Sequence, residues 1–228
     1  MAAAALVATP LPLPSHPYDT QIDEWIQDPG VLAALKRAQL ACVFVDSPDE
    51  MGSGVMLDAT GLVLTAGHCV GAAGETRVVE DVFGNKFTAM TAHLSSDFDL
   101  ALLQLQPIAN QPFPVAAAAL ATVPLKKNEA CVVIGQPLMQ RKSRRNGSQR
   151  QRVEFGKIVS TPRDPLQRED DLRGNLLHSA NTTAGHSGSP LLNMRGEIAG
   201  IHVTCDEHQH AAVTLEAIQQ FLAQSKKQ

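Results

Sequence analysis

No segment of this sequence can cross a bilayer as a helix. The uncharged apolar run from Phe113 to Pro124 is short and alanine-rich, whereas a hydrocarbon core needs about 20 apolar residues. No transmembrane helix and no membrane partner are expected. The first residues, MAAAALVATPLPLPSHP, lack a basic start and carry prolines where a signal peptide needs a helical stretch. A cytoplasmic location is therefore the expectation, with secretion as the alternative. There is also no CxxC pair. Cys42, Cys69, Cys131 and Cys205 lie far apart, which excludes a disulfide scaffold or a zinc module. Reduced, mostly buried thiols in a reducing compartment are expected instead.

Charge is sparse, at 18% of residues with a net value of -4. It is also uneven. The segment Arg141–Arg152, RKSRRNGSQRQR, holds six of the 19 Lys and Arg residues and no acid. A nucleic-acid binder would not confine its basic charge to one short run in an acidic chain, so no nucleic-acid partner is expected. The run reads as an exposed loop, with docking of an acidic partner or proteolytic nicking as sharper alternatives. With 228 residues and 44% hydrophobic content, the chain is long enough to bury its own core, as one large domain or two small ones.

Residues 1–18 are proline-rich and read as a disordered leader. Helical spacing follows over 19–40, with Ile22, Trp25 and Ile26 on one face and Val31, Leu32, Leu35 and Ala38 after a break at Asp28-Pro29-Gly30. From residue 41 the pattern changes to short β-rich runs at 42–45, 54–57, 62–66, 77–83, 86–92, 100–105, 130–135, 153–159 and 197–203. A two-residue hairpin is expected at Gly84-Asn85 and another turn at Arg195-Gly196. Many short strands without long intervening helices predict an all-β barrel or sandwich. Leu215, Ile218, Phe221 and Leu222 then predict a closing helix over 214–224, with Thr214 as N-cap.

Three segments carry candidate chemistry. Thr65-Ala66-Gly67-His68-Cys69 ends a β-run with a histidine among small residues. Asp97-Phe98-Asp99 places an acid at the mouth of the apolar strand Leu100-Ala101-Leu102-Leu103. Gly185-His186-Ser187-Gly188-Ser189-Pro190 sets a serine among glycines. A hydroxyl is a poor nucleophile unless an imidazole takes its proton, and a buried carboxylate must orient that imidazole. Flanking glycines let backbone N–H groups turn toward a developing oxyanion. Singly, His68, Asp99 and Ser187 read as a core histidine, a strand-end acid and a turn serine. Jointly, spaced by 31 and 88 residues in a β-rich chain, they point to acyl transfer.

The segments TAGHC, DFDLALLQL and GHSGSP resemble those of the chymotrypsin/trypsin-like serine proteases. The resemblance covers roughly residues 41–224. It implies two six-stranded antiparallel β-barrels, about 41–109 and 125–213, with the apolar stretch between them as connector; the helical segment 19–40 is then an N-terminal extension to the barrels and the helix over 214–224 a C-terminal one. It also implies that His68 is the general base, Asp99 its orienter and Ser187 the nucleophile, with the N–H groups of Gly185 and Ser187 forming the oxyanion hole. Substrates would be proteins or peptides, with no metal or other cofactor.

Departures from the animal digestive enzymes are informative. His186 stands where those enzymes place the aspartate that pairs with a freed N-terminus, so activation by that ion pair is not expected. Met51 to Gly54 contains no cysteine to pair with Cys69. The stretch NTTAGHSGSPLLNMRGEIAGIHV, residues 181–203, is similar to the bacterial glutamyl endopeptidase and HtrA-like branch. By that likeness Thr182 and His202, with Asn181 near the pocket base, would bind an acidic side chain, so Glu or Asp at P1 is expected. Val203, Thr204 and Cys205 depart from the glutamyl pattern, and His202 also reads as a strand histidine packed under the pocket. His208 and His210 read as a solvated loop rather than a metal pair. No peptide-binding domain is expected in the residues after Thr214. A protease fold gated by a partner, or silent and used for binding, is the alternative function; the partner would dock on segment 19–39 or on loop 141–152.

Overall fold

A computed structural model describes residues 22–46, 51–108, 113, 116–137, 151–162, 175–205 and 210–226. The leader at 1–18, most of the basic segment 141–152 and His208 lie outside the described residues.

The N-terminal extension forms α1 (Ile22–Trp25) and α2 (Pro29–Ala41). Asp28 starts α2 because its carboxylate accepts from the Gly30 and Val31 N–H groups at 2.8 and 2.9 Å, while Pro29 fills a position whose N–H would have no helical partner. The helix buries Leu35, Ala38 and Leu40. Trp25 of α1 is exposed on one side and stacks on Phe155 with ring centroids 6.1 Å apart.

Six strands follow: β1 (Cys42–Asp46), β2 (Gly52–Met56), β3 (Leu62–Ala66), β4 (Thr76–Glu80), β5 (Lys86–Ser95) and β6 (Leu100–Leu105). They close into an antiparallel barrel in the order β1-β2-β3-β6-β5-β4. The second barrel holds β7 (Ala130–Gly135), β8 (Arg152–Ser160), β9 (Asn175–His178), β10 (Pro190–Leu192), β11 (Ile198–Cys205) and β12 (His210–Thr214), in the order β10-β11-β12-β9-β8-β7. The fold is all-β with two closed six-stranded barrels. Alternation sets the inward face: along β5, Phe87, Ala89 and Thr91 are buried while Lys86, Thr88 and Met90 are exposed. The connector is stitched to both barrels, by Ala118 N–H to Met56 O at 3.0 Å and Ala121 N–H to Ile198 O at 2.8 Å.

Helix α3 (Leu215–Ser225) closes the chain. The Thr214 hydroxyl accepts from Ala217 N–H, and Phe221 reaches back to the first barrel, its ring 5.1 Å from that of His93. Fully burying Phe221 and Ile218 contributes about 1.5–3 kcal/mol each.

The turn after β4 differs from the two-residue hairpin that Gly84-Asn85 predicts. Strand pairing ends at Glu80 opposite Lys86, and residues 81–85 form a wider turn. The Asp81 carboxylate causes this, since it accepts from the Phe83 and Asn85 N–H groups and from the Asn85 amide. Three strands, β9, β10 and β12, were absent from the sequence-based expectation.

Gly196 sits at φ 70° in the turn between β10 and β11, and a Cβ there would lie 2.6 Å from the Ala34 carbonyl oxygen of α2. Gly196→Ala is expected to cost about 2–3 kcal/mol, combining backbone strain with a forced retreat of α2. Urea unfolding measures this, and a loss below about 0.5 kcal/mol would show that α2 is not clamped there.

Candidate active site

The serine loop is a second-barrel element fastened to the first. Thr183 to His186 forms a turn closed by His186 N–H to Thr183 O at 3.0 Å, with Gly185 at φ 97°. The Ser187 carbonyl accepts from Ser53 N–H of β2 at 2.7 Å, and the Cys69 thiol lies 3.6 Å from the same oxygen. The Gly185 carbonyl accepts from the Ser53 hydroxyl at 2.9 Å. Gly188 is obligatory at φ 83°, because a Cβ would fall 2.0 Å from Ser53 O and 2.3 Å from Thr65 Oγ1. With these carbonyls engaged, the Gly185 and Ser187 N–H groups donate to no other group among the described residues. Two unspent donors thus flank the Ser187 hydroxyl.

His68 lies in a 3₁₀ turn, Gly67–Cys69, at the end of β3. Asp99 grips it twice. Its Oδ2 is 2.7 Å from the ring Nδ1, and its Oδ1 accepts the His68 backbone N–H at 2.8 Å. Asp99 reaches this position at φ 50°, a left-handed conformation that Asp tolerates, while its carbonyl accepts from Gly67 N–H. The expected burial of the acid is not found. Its side chain keeps 39% exposure, because it stands in the turn at the mouth of β6 rather than within the barrel. The Asp99 carboxylate, followed by the neighbouring Cys69, pushes His68 up from 6.5 to about 10. The Ser187 hydroxyl points to the Val203 carbonyl at 3.5 Å, and no hydrogen bond joins it to His68.

Behind the serine lies a chain of imidazoles. His202 Nδ1 is 3.1 Å from His178 Nε2, the His178 ring stacks on His210 at 5.8 Å, and His210 Nδ1 is 2.7 Å from Thr182 Oγ1. His178, His202 and Thr182 are buried, while Asn181 is exposed. Burial holds the rings neutral: His178 is lowered to about 3, His202 well below the usual value. His186, sealed with its Nδ1 against Thr183, is lowered to about 4. His210, read as part of a solvated loop, is instead a β12 residue in this chain of rings, because its pairing with His178 across the β9–β12 ladder carries it inward. The sequence reading missed His178, and the only available signal was a histidine ending the apolar run NLL. It also missed Ser53.

Cys42, Cys69 and Cys131 are free and buried. Burial raises the Cys131 thiol to about 12 and raises Cys42 as well, so neither is ionised near neutrality.

These groups give a signed pH dependence of stability. Below about 6.5 the unfolded chain binds protons that the buried His178 and His186 refuse, so stability falls as pH drops toward 4. His68 acts oppositely. Its raised value adds stability that is complete below 6.5 and is lost as pH rises toward 10. Denaturant unfolding across pH should therefore show a maximum near 6.5, and Asp99→Asn should flatten the decline between 6.5 and about 9.0, leaving the further loss above it that comes from the Cys42 and Cys131 thiols held protonated by burial. An alkaline limb unchanged in that variant would contradict the pairing.

Comparisons with known proteins agree with this geometry. A family model, the trypsin-like peptidase domain, matches residues 52–201. The chain is 30% identical over 180 residues to serine protease HTRA1B of Danio rerio, covering 76% of this chain and 34% of that protein. It is 29% identical over 153 residues to the putative serine protease HhoA of Synechocystis sp., covering 66% of this chain and 36% of that one. The chain thus spans about a third of the length of these relatives. In fold it is similar to the serine endoprotease of Yersinia pestis, with a TM-score of 0.67 and 23% identity over 86% of this chain and 66% of that one. Two closed barrels, a carboxylate-bound histidine and a glycine-flanked serine accord with the matched segment, and the chain belongs to the trypsin-like peptidase domain family.

Proposed function

We propose that this chain is a serine endopeptidase working through an acyl-enzyme. Ser187 Oγ attacks the peptide carbonyl while His68 takes its proton. Asp99 fixes the tautomer and stabilises the imidazolium that forms, and the N–H groups of Gly185 and Ser187 receive the oxyanion. His68 then protonates the leaving amine, and water repeats the sequence on the ester. The observation that carries this reading is the 2.7 Å His68–Asp99 pair beside a serine flanked by two unspent N–H donors. Only neutral His68 can act as base, so hydrolysis accelerates along an acid limb displaced above the ordinary 6.5.

Preference for Glu or Asp at P1 is supported by a tautomer argument. His178 Nδ1 is buried without a partner among the described residues, and an unpaired acceptor there costs less than an orphaned N–H. The His178 proton therefore belongs on Nε2, donating to His202 Nδ1. That leaves the His202 proton on Nε2, a donor for a substrate carboxylate, with the Thr182 hydroxyl next in the same cluster. Asn181, being exposed, would contribute at the pocket rim.

One observation favours a gated form of the same enzyme: the Ser187 hydroxyl faces Val203 O rather than His68. An activating protein that shifts it would complete the triad. Trp25 lies in the helical segment 19–39, stacked on Phe155 of β8, and is the exposed feature such a partner would meet. The free thiols Cys42, Cys69 and Cys131 support a reducing, cytoplasmic setting.

Ser187→Ala should preserve the fold and lower turnover by about 10⁶-fold, and undiminished cleavage would refute the mechanism. In an unbiased peptide library read by mass spectrometry, cuts should follow Glu or Asp; dominance of Leu, Phe, Lys or Arg would remove the role given to His202 and Thr182. Prompt fluorophosphonate labelling of Ser187 in the isolated chain would count against gating.

A further inference from the structure

Ser53 stands where the first barrel meets the serine loop. It belongs to β2 of the first barrel, is completely buried, and each of its polar groups is engaged across the cleft or beside it. Its N–H donates to Ser187 O at 2.7 Å, its hydroxyl donates to Gly185 O at 2.9 Å, and the same hydroxyl accepts Gln136 N–H at 3.0 Å. Its carbonyl accepts from Thr65 Oγ1 at 2.7 Å.

The two carbonyls it holds belong to the two residues whose N–H groups have no partner among the described residues. The peptide plane following Gly185 is pinned at both ends, by Ser53 Oγ on the carbonyl and by Thr183 O on the His186 N–H. The plane following Ser187 is pinned likewise, by Ser53 N–H on the carbonyl and by His202 O on the Gly188 N–H at 2.7 Å. The plane carrying the Gly185 N–H has no such bond of its own among the described residues. Its direction is set by φ of Gly185, and that angle is held only while the next plane cannot turn. Glycine gives no steric resistance to such a turn.

We propose that Ser53 is a positioning residue for oxyanion stabilisation, its hydroxyl holding the Gly185 carbonyl so that the Gly185 N–H stays aimed at the reacting oxygen. The proposal rests on the peptidase reading above. It assigns the first barrel a share in the oxyanion hole beyond supplying the histidine and acid. Ser53→Ala removes the hydroxyl and leaves both the Gly185 carbonyl and the Gln136 N–H without their bond.

The test compares Ser53→Ala with the unaltered chain in hydrolysis of a fluorogenic peptide bearing the preferred P1 residue. It also compares affinity for a peptidyl boronate, whose tetrahedral oxygen occupies the hole, and for the product peptide, which makes no such demand. The expected result is a loss of about 10- to 100-fold in kcat, below the about 10²–10³ for deleting a donor outright. Boronate affinity should fall in parallel, with KM and product affinity within about twofold of the original. A folded variant with unchanged kcat and boronate affinity overturns the proposal, as does a loss shared equally by product binding, which marks a merely structural role. Should Ser53→Ala fail to fold by circular dichroism, Ser53→Cys carries the same comparison, its weaker thiol donor giving a smaller but selective loss. A gated enzyme would show neither hydrolysis nor fluorophosphonate labelling in the unaltered chain, and the boronate comparison then decides alone; boronate binding absent there as well overturns the peptidase reading instead, and this proposal with it.

Discussion

The hydrogen bond from Ser53 N–H to the Ser187 carbonyl crosses between the barrels, and the site depends on it. His68 and Asp99 belong to the first barrel, while the serine loop and its imidazole chain belong to the second. Two barrels packed through apolar side chains alone could slide by a fraction of an ångström at little cost. A directed main-chain bond at 2.7 Å cannot. The absence of side chains at Gly188 and Gly52 allows that close approach, since a Cβ at Gly52 would lie 2.7 Å from Ser187 O. Small residues in GSG and GHSGSP are therefore a matter of contact between the barrels as much as of loop conformation.

The histidines divide by environment. His68, with a carboxylate at 2.7 Å and access to water, is held toward its charged form. His178, His186 and His202, sealed in the second barrel with no acid beside them among the described residues, are held neutral. One residue type is thus held toward its charged form where water reaches it and neutral where it is sealed in. The main chain of His202 also ties these regions together, its carbonyl taking Gly188 N–H and its N–H donating to Ser189 O. The strand bearing His202 and the loop bearing Ser187 are consequently one mechanical unit.

Legibility in the sequence followed the range of the interactions. Thr214 as a helix cap, the short β-rich runs of the first barrel and the three motifs of the cleft are all local patterns, and each has a local physical cause. Strand β10 is three residues long and begins at Pro190, so alternation cannot mark it. Strands β9 (NLLH) and β12 (HAAVT) are short and hold few of the β-branched and aromatic residues that mark strands, and their burial comes from barrel closure. The width of the turn at 81–85 was hidden because a carboxylate four residues away outweighs the Gly84-Asn85 dipeptide. Ser53 and His178 carry no motif. Their significance arises from partners 132 and 24 residues distant, which only the closed barrels bring near.

The exposure of Asp99 constrains how it can act. At 39% accessibility, solvent screens its charge, and an exposed ion pair alone contributes little. Its effect must then come largely through directed hydrogen bonds: one oxygen fixes the backbone of His68, the other fixes the ring, and the imidazole is left with Nε2 toward the cleft. Geometry of this kind does not depend on a low dielectric, because two bonds from one carboxylate to one residue remove its rotational freedom whether or not water touches the acid. A substrate that covers the cleft would exclude part of that water and strengthen the Coulombic share when the imidazolium forms. In the proposed reaction the carboxylate would thus orient His68 before binding and stabilise its charge most strongly after it.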